Sequence, residues 1–117
     1  MSLKIASYLF YGPFSIDKVK VRANQTPVVF AIVKKSGKPW LPSFHLVDID
    51  ASPDEGIVLA EHPRRSQWEA AGQEELQVYL LDVPKAEGDL AHRQRIAQEA
   101  RVALEPLQGE ISLAGGM

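Results

Sequence analysis

Two aspartates, Asp48 and Asp50, end an apolar segment and are the clearest candidates for chemistry in this sequence. Alternate residues of a strand point to the same side, so both carboxylates would lie together. Such a pair can hold magnesium, with one aspartate as nucleophile and the other as acid/base in phosphoryl transfer. A magnesium-dependent phosphoryl-transfer or hydrolytic site on Asp48 and Asp50, with His62 nearby, therefore stays open. The favoured interpretation is simpler: solvated residues at a strand end, followed by a helix cap.

The sequence lacks the residues that several other reaction classes require. The chain has no cysteine, which excludes disulfides, thiolate zinc sites and cysteine nucleophiles. Its three histidines fall in separate elements, and no pair has the spacing that places two ligands on one helical face. A Gly-x-Ser-x-Gly nucleophile motif is also missing. We therefore predict no metal site among these residues and no cofactor.

A local basic patch is the second candidate site. Lys34 and Lys35 begin a glycine-containing connector over residues 34–39, and Arg64 and Arg65 stand close to Trp68. Cations beside an aromatic ring can hold a nucleic-acid strand. The formal net charge of -2 supplies no general attraction for phosphates, so binding would depend on this patch alone. The favoured alternative is a solvated surface on which both arginines pair with nearby acids, with Trp68 and Trp40 partly in the core.

The elements that would position these residues are indicated by local patterns. Residues 28–33 are almost continuously β-branched or aromatic, which predicts a strand buried on both faces. Residues 44–50 predict a second strand, and the two would form an antiparallel hairpin with a connector longer than a tight turn. Ser52 followed by Pro53 predicts a short helix that stops before Pro63. Residues 66–72, 76–83 and 89–105 predict a second helical piece, a third strand and a last helix.

Length and composition describe one small domain. The chain has 117 residues, of which 45% are hydrophobic and 24% are charged. We predict a single α/β domain over residues 1–117, with an N-terminal arm or strand at 1–13 and a flexible tail at 106–117. It lacks an export signal and a stretch of about 18 apolar residues, so we expect a cytoplasmic protein with no membrane partner. Its oligomeric state is open.

Several strings carry a resemblance to a known family. Phe30 lies in the first predicted strand, and Asp50 ends the second. Val58 precedes His62 by one helical turn, and Ala97 lies in the last helix. With the order β-β-α-β-α, residues 14–105 resemble the small stand-alone members of the GIY-YIG nuclease superfamily. The resemblance implies one central, mainly antiparallel sheet flanked by helices.

The same resemblance implies a lost activity. In the active family a tyrosine and a histidine activate water, an arginine steadies the phosphate and a glutamate holds magnesium. Phe30, Val58 and Ala97 stand at the tyrosine, arginine and glutamate positions, while His62 is retained. Hydrocarbon groups can neither position water nor bind a cation. The resemblance therefore implies a catalytically inactive binding or interaction module, and we expect the four positions to meet where a former cleft has filled with core.

Overall fold

The computed structural model describes residues 2–38, 40–70, 76–104 and 110–111. This part of the chain forms a small α+β domain. Its strands are β1 (Ser2–Ile5), β2 (Tyr8–Phe14), β3 (Lys20–Arg22), β4 (Val28–Lys38), β5 (Leu41–Ala51), β6 (Gly56–Val58), β7 (Leu76–Asp82) and β8 (Glu110–Ile111). Its α-helices are α1 (Arg65–Ala70) and α2 (Leu90–Leu104), and two single 3₁₀ turns cover Ile16–Lys18 and Leu59–Glu61.

Six strands form an antiparallel sheet in the order β1-β2-β7-β4-β5-β8. The sheet curls, so that its two outer strands, β1 and β8, come close to each other. The remaining pair, β3 and β6, forms a separate two-stranded ribbon. None of the helices in the described ranges is long and apolar enough to cross a membrane.

Strand β4 separates two hydrophobic cores. Val29, Ala31 and Val33 pack on one face of the sheet together with α2, while Phe30 and Ile32 pack on the other. The second face is covered by the β3-β6 ribbon, the 3₁₀ turns and α1, which contribute Val19, Leu59 and Trp68, among others. The predicted strand buried on both faces is therefore confirmed.

The hairpin of β4 and β5 is longer than predicted. Its register runs from Val29 opposite Ala51 to Lys38 opposite Leu41, with an irregularity next to Ile32. Only positions 39 and 40 lie between the two strands, so the predicted long connector is wrong. The polar residues after position 33 continue the strand because both strands extend beyond the two cores, where polar side chains can reach water.

The predicted helix that starts at Ser52 and stops before Pro63 is wrong. Gly56 to Val58 form β6 and pair with β3, and a single 3₁₀ turn follows. The predicted cap, Ser52, is fully buried, and its Oγ accepts a hydrogen bond from the Val28 amide instead of capping a helix. Gly56 has a φ of +96°, and a Cβ there would lie 2.3 Å from the Val21 carbonyl oxygen, so this glycine permits the ribbon. The order of elements is therefore more complex than β-β-α-β-α.

The later elements agree better with the sequence patterns. Helix α1, strand β7 and helix α2 lie where a helical piece, a strand and a last helix are predicted. The N-terminal segment is a hairpin of β1 and β2 that joins the main sheet through β7. In the predicted tail, Glu110–Ile111 pairs with β5. Residues 106–109 and 112–117, which we expect to be flexible, lie outside the described residues.

Candidate functional site

The candidate site is a group of polar side chains that we call the Asp-Arg cluster: Asp48, Asp50, His62, Arg64 and Trp68. Both aspartates come from β5 and lie opposite Ile32 and Phe30 of β4, on the face that α1 covers. The expectation that the two carboxylates share one side of a strand is therefore confirmed. Arg64 directly precedes α1 and Trp68 lies within it, and both side chains contact the carboxylates.

Arg64 joins the two aspartates. Its Nη1 lies 3.2 Å from Asp48 Oδ2, and its Nη2 lies 2.5 Å from Asp50 Oδ2. The side chain of Asp48 is 14% exposed and that of Asp50 is 39% exposed, so the first pair lies deeper. A guanidinium between two carboxylates removes their mutual repulsion. Because a single guanidinium faces two carboxylates, the cluster keeps one formal negative charge while His62 is neutral.

The carboxylate oxygens also accept hydrogen bonds from other groups. Asp48 Oδ2 accepts a hydrogen bond from Trp68 Nε1 at 2.8 Å, and its Oδ1 accepts one from the Ile49 amide. Asp50 Oδ1 accepts one from the Ala51 amide. All four carboxylate oxygens thus have protein donors. An aspartate pair that binds magnesium presents oxygens of both carboxylates toward one open position. Asp48 instead presents its oxygens to α1 and to its own strand, and Asp50 is the more exposed of the two.

The same contacts close one edge of the sheet. Strand β8 pairs only with Phe44 and His45, so the rest of the outer edge of β5 has no strand beside it among the described residues. There the amides of Ile49 and Ala51 donate to the preceding aspartates, and Arg101 Nη2 donates to the Ile49 carbonyl. Side chains therefore form hydrogen bonds with backbone groups that could otherwise pair with another strand.

His62 is packed against aromatic rings. Its ring centroid lies 4.6 Å from that of Trp68 and 5.9 Å from that of Phe30. Its Nδ1 accepts a hydrogen bond from the Arg64 amide at 3.0 Å, so the neutral ring carries its hydrogen on Nε2. Burial lowers the pKa of His62 below its usual value, the charge of Arg64 lowers it further, and the nearby aspartates act in the opposite direction.

This lowered pKa predicts a pH-dependent contribution to stability. The unfolded chain takes up the His62 proton at higher pH than the folded protein does, so the stabilisation is complete above about pH 6.5. It is lost as the pH falls from there through the lower pKa of the folded state. We expect wild type to lose more unfolding free energy than His62→Gln between pH 7.5 and 5.5, measured by urea denaturation. Equal losses in the two proteins would contradict this assignment.

A cleft of about 700 Å³ opens beside the cluster. Asp50, Val58 and His62 line it, together with the basic residues Lys20 and Arg22 of β3. Two further acids, Glu55 and Glu61, complete its charged lining. Because both signs of charge are present, the cleft does not select for an anion or a cation.

The four family positions do not meet. Phe30 contacts His62, and Val58 shares the cleft with His62. Ala97 is 2% exposed but packs in the other core, on the opposite face of the sheet, because α2 covers that face. The expectation of one filled cavity around Phe30, Val58, His62 and Ala97 is therefore wrong.

The predicted basic patch is not assembled. Lys34 and Lys35 are neighbours on one strand and point to opposite faces, opposite His45 and Phe44 respectively. Arg64 is held by the two aspartates. Arg65 forms ion pairs with Asp17 at 2.9 Å and Glu69 at 2.6 Å, and donates to the Ala60 carbonyl. The predicted alternative, in which both arginines pair with nearby acids, is the observed arrangement.

The two tryptophans have opposite environments. Trp68 is 2% exposed and is a core residue, so it cannot serve as a stacking platform. Trp40 is 77% exposed at the tip of the β4–β5 hairpin, with Lys38 Nζ 5.5 Å from its ring centroid. Partial burial is thus right for Trp68 and wrong for Trp40. The sequence does contain an indication that Trp40 is exposed, because it lies between Pro39 and Pro42, a pattern typical of a turn.

Neither metal ligands nor relatives identify the site. Across the ranges that the structure describes, no three His, Asp or Glu side chains group together in a way that could hold a metal ion. Comparison of the chain with family models, curated proteins and solved structures finds no match. The function must therefore be argued from the geometry of the chain itself.

Proposed function

We propose that this domain is a catalytically inactive binding or interaction module, in which the Asp-Arg cluster stabilises the fold. One observation carries the proposal: every carboxylate oxygen of Asp48 and Asp50 already has a protein donor. Catalytic carboxylates need a free lone pair or an open ligand position at the reacting atom. In this cluster Arg64 bridges the two carboxylates, and the less exposed Asp48 also accepts from Trp68 Nε1. These contacts hold α1 on β5.

Descent from a GIY-YIG nuclease remains part of this proposal. The contact between Phe30 and His62, and the presence of Val58 in the same cleft, are compatible with a site that has lost its polar groups. The position of Ala97 in the other core does not support the resemblance. The main support for an inactive module is therefore the cluster, and the ancestry is secondary to it.

The magnesium-dependent alternative has less support. For Asp48 and Asp50 to bind a cation, Arg64 would have to leave both carboxylates, and Trp68 Nε1 would lose its acceptor inside the core. A buried donor without a partner costs about 1–3 kcal/mol. Metal binding would have to compensate this loss before any reaction began.

The proposal predicts no hydrolysis by the purified protein. We expect no cleavage of plasmid or single-stranded DNA and no release of phosphate from a simple phosphomonoester, with magnesium or manganese present. The physical reason is that the Arg64 guanidinium lies between the two carboxylates, where a shared metal ion would bind, and that Trp68 and the Ile49 amide occupy the less exposed Asp48. The measurement is a gel and colorimetric time course over several protein concentrations.

Variants decide whether any observed activity belongs to this chain. Activity that disappears in both Asp48→Asn and His62→Ala, while an exposed control such as Glu87→Gln retains it, would overturn the proposal. Activity that is unchanged in all three variants would come from a contaminant. A rise in melting temperature with magnesium in wild type, absent in Asp50→Asn, would favour the phosphoryl-transfer alternative.

A further inference from the structure

The tip of the β4–β5 hairpin exposes two large apolar side chains side by side. Trp40 is 77% exposed and Leu41 is 71% exposed, the two largest values among the exposed large hydrophobic residues of the described chain. Neither side chain belongs to either of the two cores. Adjacent apolar residues at the apex of a projecting element favour contact with another surface.

The outer part of the same hairpin, residues 33–47, is strongly basic. Residues 33–47 contain Lys34, Lys35 and Lys38 and no acidic residue, and no ion pair involves these lysines within the described part of the chain. The rest of the sequence carries ten Lys and Arg against fifteen Asp and Glu. The charge is therefore separated, with a positive outer part of the hairpin on a negative body, and an anionic surface would attract the tip first.

The lysines are placed around the tip and behind it. Lys38 lies opposite Leu41 at the end of the strands, and Lys34 and Lys35 lie three to four residues further back, about 10–13 Å at the usual rise of a strand. Because Lys34 and Lys35 point to opposite faces, positive charge flanks both sides of the hairpin. A partner that uses all three lysines must surround the tip.

We propose that the tip of the β4–β5 hairpin docks the domain on an anionic lipid membrane, with Trp40 and Leu41 in the interface and Lys34, Lys35 and Lys38 at the headgroups. Indole rings prefer the boundary between water and hydrocarbon, and aliphatic Leu41 gains by leaving water. This inference names the partner of the proposed binding module and rests on that function. It also departs from the expectation of no membrane partner, which considered spanning segments.

The geometry favours a membrane over a nucleic-acid strand. A single strand would run along one face of the hairpin and would leave either Lys34 or Lys35 on the far side. Base stacking would use Trp40 but not Leu41, which has no ring. A lipid surface into which the tip inserts contacts both faces and both apolar side chains together.

The test is co-sedimentation of the full chain with vesicles. One set contains phosphatidylcholine alone, and the other contains one part phosphatidylserine to two parts phosphatidylcholine. We expect binding to the anionic vesicles, weakened by salt, and little binding to the neutral ones. Brominated lipid should quench Trp40, while buried Trp68 provides a signal that does not change.

Matched variants separate the tip from general effects. Each lysine near an anionic surface contributes about fivefold in affinity, so Lys34→Gln, Lys35→Gln and Lys38→Gln together should weaken binding about a hundredfold. The control combines Lys4→Gln, Lys18→Gln and Lys20→Gln, with the same change in net charge, and should remain within about threefold of wild type. Trp40→Ser with Leu41→Ser should abolish sedimentation, and Leu9→Ser, at another exposed apolar residue, should not.

The outcomes are distinguishable. Loss of anionic-vesicle binding in the tip variants alone supports the proposal. No vesicle binding by wild type, equal binding by the Trp40→Ser and Leu41→Ser variant, or binding to a labelled single-stranded oligonucleotide without vesicle binding would each overturn it. A DNA-cleavage assay on the same preparations tests the inactive-module proposal separately, since activity there would refute that function whatever the vesicles show.

Discussion

Replacement of Arg93 by alanine is expected to lower the free energy of unfolding by about 4 kcal/mol, the largest effect of any single substitution considered. Arg93 lies in α2 and is fully buried. Its Nε and Nη2 donate to the Ser52 carbonyl at 3.1 and 2.9 Å, and Nη2 also contacts Asp54 Oδ1 at 2.8 Å. Alanine would remove these bonds and leave a cavity between α2 and the sheet.

The position of Ser52 explains why the loss should be large. Ser52 follows β5 directly and is itself fully buried, and its Oγ accepts a hydrogen bond from the Val28 amide. Its amide donates to the Val28 carbonyl at 2.8 Å. One residue therefore joins the end of β5 to the start of β4, and Arg93 attaches α2 to the same point. When Arg93 is replaced, the buried Ser52 carbonyl loses both hydrogen bonds from the guanidinium, which destabilises the folded state.

Urea denaturation of Arg93→Ala and Arg95→Ala measures the effect. Arg95 lies in the same helix but is exposed, so its replacement should change stability by less than about 0.5 kcal/mol. Arg93→Met keeps most of the volume and removes the charge, and it should cost about 1–3 kcal/mol for the unpaired carbonyl. If Arg93→Ala were as mild as the Arg95 control, α2 would not depend on this buried contact.

The sequence predicts those parts of the fold that local patterns determine. The β-branched run at 28–33 and the helical period at 89–105 each decide one element, since a strand buried on both faces and an amphipathic helix have distinct residue periods. Ser52 shows the limit of this approach. Its neighbours form a good helix-cap pattern, but the Val28 amide, 24 residues away, uses its hydroxyl. Tertiary pairing with β3 then makes the following residues a strand.

The candidate site is predictable to a similar degree. Strand alternation places Asp48 and Asp50 together, which needs no knowledge of other elements. The position of Arg64 depends on the path of the chain through β6 and the 3₁₀ turn that follows it. The local pattern of these residues predicts a helix instead. Which face of the sheet α2 covers is decided by the topology, and local sequence patterns do not contain it. For that reason the resemblance places Ala97 beside Phe30, whereas Ala97 lies in the opposite core.

Replacement of Asp48 by alanine is the second large effect, an expected loss of about 2–3 kcal/mol in unfolding free energy. Most of the loss comes from Trp68, whose Nε1 would remain in the core without its acceptor. The ion pair with Arg64 contributes less, because the arginine side chain is 35% exposed and solvent screens the interaction. The Ile49 amide would also lose its partner at the sheet edge.

Comparison with Asp50→Ala makes this prediction specific. Asp50 also pairs with Arg64, but its side chain is 39% exposed and no tryptophan donates to it, so its loss should cost less than about 1 kcal/mol. A catalytic pair would show the opposite pattern, with both substitutions abolishing activity at little cost in stability. Urea denaturation of the two variants therefore tests what the carboxylates do. Equal and small losses would remove the structural role assigned to the Asp-Arg cluster, and with it the main support for an inactive module.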